Sequence, residues 1–83
     1  MGCDTDIYEA EYDVSNGNIL LKHLYGFRTY AIYEVIPFDI YCGYYPISGE
    51  YLYTALENLK KLVNFDINFE VDQEKEYFIS VFQ

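Results

Sequence analysis

Basic side chains are scarce in this chain, tryptophan is missing, and long apolar runs do not occur. Five Lys plus Arg stand against fourteen Asp plus Glu over 83 residues, a net charge of -9. Such a surface is repelled by DNA, RNA and anionic lipid, whose binding proteins carry basic patches, so direct nucleic-acid binding is not expected. No segment approaches the roughly 20 apolar residues of a membrane span, and a cytoplasmic location is expected. The only cysteines are Cys3 and Cys42, without metal-type spacing or a preceding signal peptide. A disulfide between them is permitted but not required. Met1-Gly2-Cys3 opens like an acylation signal, but Asp6 stands where Ser or Thr is needed, so a plain N-terminus is expected.

Catalytic groups are equally thin. There is one His (His23), one Arg (Arg28) and no Gly-rich phosphate loop. Cys42 with His23 could form a thiolate pair, yet two such residues coincide by chance too easily, and His23 reads as a structural imidazole. No His/Cys cluster suits zinc, and neither Cys3–Asp6 nor Asp66–Asp72 has the glycine and terminal glutamate of a calcium loop. No catalytic residue, cofactor or metal site is assigned, and the chain is not expected to be an enzyme.

What is present makes a fold. With 52% hydrophobic residues, 5 Gly and 2 Pro, the chain avoids the low hydrophobicity that keeps highly charged sequences disordered. Its length suits one domain, residues 1–83. Eleven Tyr and six Phe carry the aromatic content; that is more tyrosine than so small a core can hide, so some should lie at the surface.

Along the chain, Tyr8, Ala10, Tyr12 and Val14 alternate with Glu9, Glu11 and Asp13 over 7–14, the period of a half-buried strand. Asn16-Gly17 then signals a hairpin, with a return strand from Ile19 to about Tyr25; Leu20, Leu21 and Leu24 also suit a short helix there. Phe27–Ile36 reads as a third strand ended by Pro37, Phe38–Cys42 as a possible further one, and Gly43–Pro46 as a loop with two aromatics at its tip. The spacing predicts a helix over Gly49–Val63. Ser48 is its N-cap, Leu52, Ala55, Leu56, Leu59 and Leu62 or Val63 form its stripe, and Asn64 supplies a left-handed stop. Glu57 and Lys61 can pair on its wet side. Asp66–Asp72 alternates as a strand, and Tyr77–Phe82 returns after the Gln73–Lys75 turn. The fold class is therefore α+β, a small antiparallel sheet of four to five strands with one main helix on one face.

The acids are laid out in order. Glu9, Glu11 and Asp13 share one face of the first strand, and Asp66, Glu70 and Asp72 share one face of the penultimate one. Alternate strand residues lie about 6.8 Å apart, near every second phosphate of a DNA strand at about 3.4 Å per phosphate. Such rows can stand in for a nucleic-acid backbone in a basic groove, with arginine contacts surviving salt best; the plainer alternative is that they only solubilise. Tyr44, Tyr45, Tyr51 and Tyr53 gather at the helix start beside Glu50, a binding hot spot or core packing. The partner-binding candidates are thus Glu9, Glu11, Asp13, Asp66, Glu70, Asp72, Tyr44, Tyr45, Glu50 and Tyr51.

In size, charge and tyrosine-rich, cysteine-poor composition, the whole chain resembles the small inhibitors that phages make against host nucleases, the anti-CRISPR and anti-restriction proteins. No motif carries the likeness, so no residue role is transferred. It implies a protein partner with a basic surface, a CRISPR effector or other nuclease, whose nucleic-acid cleft is occupied. Acidic antitoxins and immunity proteins share the same physics. The competing expectation is a structural or assembly module, monomer or homodimer, that pairs through a Tyr-rich surface or an open strand edge.

Overall fold

The computed structural model describes residues 4–37, 43–64, 66 and 69–82, with the backbone alone at position 82. Six elements follow in order: β1 (Asp4–Asp13), β2 (Asn18–Arg28), α1 (Ile32–Val35), β3 (Gly43–Ser48), α2 (Gly49–Leu62) and β4 (Glu76–Phe82). The four strands form one sheet in the order β2-β1-β4-β3, every neighbouring pair antiparallel. The protein is α+β, with one main helix.

The first hairpin forms at Asn16-Gly17. Gly17 has φ 73°, and its N–H donates to the Asp13 carbonyl at 2.8 Å, a left-handed position that glycine occupies without strain. Asp13 accepts from the backbone N–H and the hydroxyl of Ser15, at 3.0 and 2.7 Å. These bonds to the charged form hold its carboxyl below the usual aspartate range. Residues 18–28 are strand, which decides against the helical alternative.

The faces of β1 are the reverse of the alternation expected from its tyrosines. Thr5 and Ile7 are fully buried, while Tyr12 is exposed. The reason is register. Thr5, Ile7 and Glu9 stand opposite Val81, Ile79 and Tyr77 of β4, all buried, and opposite residues share a face. The odd positions of β1 therefore look toward α2. A bulge lies in β2: Ile7 pairs with Tyr25 but Tyr8 with His23, leaving Leu24 extra. The extra residue flips the alternation, so Tyr25 and Phe27 face the core while His23, Leu21 and Ile19 face the other way.

Helix α2 supplies the cover. Ser48 caps it, its hydroxyl accepting from the Tyr51 N–H at 3.2 Å. Leu52, Ala55, Leu56 and Leu59 are buried against Ile7, Ile47, Tyr77, Ile79 and Val81, with Ile32 and Ile36 of the α1 region closing one end. Leu62 is exposed and Val63 half-buried. The helix ends with Val63 extended, and among the described residues no non-glycine residue is in the left-handed region, so the stop assigned to Asn64 is not used. Glu57 pairs with Lys60 at 3.3 Å rather than with Lys61.

Three further expectations are corrected. Phe27–Ile36 is not a strand: β2 ends at Arg28, and Ile32 and Ile36 enter the core from a helical turn. Gly43–Pro46 is the edge strand β3 rather than a loop, so Tyr44 and Tyr45 point to opposite faces. Asp66, Phe69, Glu70, Val71 and Asp72 are not strand; Phe69 and Val71 pack individually on the core. The possible strand Phe38–Cys42, both cysteines, residues 1–3, Ile67 and Asn68 lie outside the described residues.

Candidate partner-binding surface

β1 pairs with β4 only from Asp4 to Glu9. Beyond Glu9 the β1–β2 ribbon continues as an arm, a shape reflected in the 41 × 25 × 19 Å extents of the molecule. The arm is apolar for a solvated ribbon: Val14 is 85% exposed, Tyr12 67% and Ile19 55%. Where the arm leaves the sheet, the turn before β4 approaches its base.

That turn is tied down on several sides. The Lys75 N–H donates to the Asp72 carbonyl (3.1 Å), and the Glu74 N–H to the Asp72 carboxylate (3.0 Å). The Asp72 N–H donates to the hydroxyl of buried Tyr77 at 2.8 Å, and the N–H of Gly49 donates to the Lys75 carbonyl at 2.8 Å. Lys75 reaches across to Glu9, Nζ to Oε1 2.8 Å. That bond, then the charges of Glu9, Asp72 and Glu11, push the ammonium above its ordinary value against a smaller opposing effect of burial. Glu9 is also opposite Lys22 on β2.

Between arm and turn lies a notch of about 310 Å³, lined by Ala10, Glu11, Tyr12, Ile19, Glu74, Lys75 and Glu76. Three carboxylates, Glu11, Glu74 and Glu76, border it beside one ammonium already engaged by Glu9. Its walls also offer the faces of Tyr12 and Ile19. The strand edge of β1 at residues 10–13 is paired on its β2 side alone. A cationic side chain with an apolar stem fits these features: the stem on Ile19 and Tyr12, the head on the carboxylates, with an extended backbone along the β1 edge.

The expected site residues are distributed as follows. Glu9, Glu11 and Asp13 do share a face of β1, but Glu9 is bonded to Lys75 and Asp13 to Ser15, which leaves Glu11 without such a bond among the described residues. Asp66, Glu70 and Asp72 form no row, because no strand carries them. Asp66 is exposed, its carbonyl accepting from the Tyr25 hydroxyl at 2.6 Å. Glu70 lies by Tyr53 and Lys60 in a separate cleft, and Asp72 joins the Lys75 cluster. Glu50 and Tyr51 come together with Ser48, Thr54, Asn58 and Val35 around a larger cavity of about 420 Å³, which holds a single carboxylate. Tyr44 stands on the open sheet face against Tyr8, ring centroids 5.9 Å apart, whereas Tyr45 is half-buried on the core.

Glu74 and Glu76 were not anticipated. Their signal is local: acids flanking the single Lys of a turn, just before a strand, project on either side of it. Among the described residues no three His, Cys, Asp or Glu could hold a metal ion, and no helix is long and apolar enough to cross a membrane. No family model, curated protein or solved structure matches the chain.

Proposed function

We propose that this protein is a binding protein that occupies a basic site on a partner, such as the cleft in which a nuclease or CRISPR effector holds nucleic acid, and thereby inhibits it. The observation that carries this reading is the notch: Glu11, Glu74 and Glu76 held at the root of an exposed apolar arm on a chain of net charge -9. Glu11, Glu74 and Glu76 are carried on backbone held by strand register and turn bonds, so little main-chain reorganisation is needed when a guanidinium or ammonium arrives. The arm adds the aromatic and aliphatic area that turns an electrostatic encounter into a specific complex. The notch, rather than a regular carboxylate row along β1, is the recognition element, and no step of chemistry is assigned to the chain.

The reading is tested by capture of partner from host extract with immobilised protein. Retention should fall steeply at about 0.5 M NaCl, where the Debye length shrinks to ~4 Å. Glu11→Lys combined with Glu74→Lys should abolish retention, while Glu34→Lys on α1 should not. Capture indifferent to the notch reversals sinks the proposal.

A further inference from the structure

The face of the sheet turned away from α2 is uncovered among the described residues, and it differs in charge from the rest of the molecule. Cross-strand register places Tyr8, Ala10 and Tyr12 of β1, Leu21 and Ile19 of β2, Phe78 of β4, and Tyr44 and Pro46 of β3 on this one surface. Tyr12, Ile19, Leu21 and Tyr44 are exposed, and Tyr8 makes edge contacts with both Tyr44 and His23. Asp4 and Asp6 share this face, the first ion-paired with Arg28 and the second in hydrogen-bond contact with His23. Arg28 Nε lies 2.6 Å from Asp4, and His23 Nε2 lies 3.0 Å from Asp6. Glu76, also on this face, has no ion pair among the described residues, and it sits at the notch border. Most of the surplus negative charge of the molecule is therefore displayed elsewhere.

We infer that this face binds a second copy of the same chain, sheet against sheet, in a symmetric homodimer. Two bodies of charge -9 repel each other, and the face that carries few acids, one of them ion-paired with Arg28, is where they can meet with least opposition. A cationic partner is drawn to the notch and gains no charge complement here, whereas an isologous apolar contact needs none.

The two outer strands of the sheet argue the same way. β2 carries the Leu24 bulge together with Lys22, His23 and Arg28, and β3 carries Pro46; these are features that blunt strand-to-strand addition. The size suffices. Strands ~4.8 Å apart with ~3.4 Å per residue give a projected face of about 500 Å² including the arm. Side-chain relief brings that to the lower range of specific dimers, about 600 Å² per partner. The dimer is accordingly a weak one.

Sedimentation of the full chain over a range of concentrations tests this. A monomer–dimer equilibrium is expected, and it should tighten as NaCl rises from about 0.05 to about 0.5 M because the repulsion is screened. Capture at the notch responds to salt with the opposite sign, so the two proposals fail separately. Leu21→Asp and Tyr44→Asp, neither of which lines the notch, should each weaken dimerisation about tenfold or more. Leu62→Asp, at an exposed apolar position on α2, should leave it unchanged. Circular dichroism of each variant establishes that it is folded. A monomer at every concentration and salt, or a dimer unmoved by the two face substitutions in folded protein, overturns the inference.

Discussion

Gly49 shows how one residue can decide whether a turn and a helix meet. A Cβ there would come within 2.0 Å of the Asp72 carbonyl oxygen and 2.9 Å of the Gln73 Cα, and backbone cannot step aside as a side-chain tip can. Gly49→Ala should destabilise by about 1–3 kcal/mol in urea unfolding, as overpacking does. Thr5 gives the opposite sign. It is 1% exposed between β2 and β4, and its hydroxyl has no partner among the described residues. Thr5→Val keeps the shape and removes an unpaired polar group, so a gain of roughly 1 kcal/mol is expected. Asp13 is a matter of pH. Its folded carboxyl titrates below the unfolded one, so its contribution is complete above the unfolded value near pH 4 and is lost as pH falls through the folded one. The arm turn of Asp13→Asn should lose that acid dependence, read from amide shifts of Ser15 and Gly17 between about pH 5 and pH 2.

Elements whose signals are local were legible in the sequence. α2 was readable because its cap, stripe and last-turn lysines agree, and the first hairpin because Asn16-Gly17 permits one turn. Where strands needed a partner to exist, composition misled. Ile32 and Ile36 are β-formers, yet one helical turn carries both into the core. Asp66–Asp72 alternates in sequence, yet none of its described residues is strand, whereas Gly43–Ser48 is strand despite Pro46 because it lies at the sheet margin, where a missing N–H is tolerated. Alternation also could not tell which face of β1 is inside; the pairing with β4 decides that. For the same reason Glu9 and Glu11 were identifiable as acids on one face, while the notch needed β4 and its turn to be placed. That turn hangs on Tyr77, which is buried and takes the Asp72 N–H. Tyr77→Phe should cost about 1–2 kcal/mol by leaving a half-buried donor unmet. It should also weaken partner capture, since Glu74 would lose its anchorage. Unchanged stability with intact capture would show that the hydroxyl does not hold the turn.

At the scale of the molecule, charge and stability oppose each other. The chain has a sequence pI of about 4.2 and a Cα radius of gyration of 12.9 Å, so much of its surplus charge lies within one or two Debye lengths of itself at ordinary salt. The ion pairs among the described residues are largely at the surface, and Arg28–Asp4 and Lys60–Glu57, like the His23–Asp6 contact, are open enough to water for each to count for little. Repulsion therefore outweighs pairing, and added NaCl should stabilise the fold. The melting temperature is expected to rise by several degrees between about 0.02 and about 0.5 M NaCl, measured at a protein concentration low enough to keep the chain monomeric. Neutralising two acids of the notch, Glu74→Gln with Glu76→Gln, should raise the melting temperature at low salt and flatten its salt dependence. The same pair of changes should reduce partner capture. A fall in melting temperature with salt would mean that the internal pairs dominate and that the acids carry no standing cost. If instead stability and capture move in opposite directions, the carboxylates at the root of the arm are held against the interest of the fold, which is what a surface kept for a cationic partner requires.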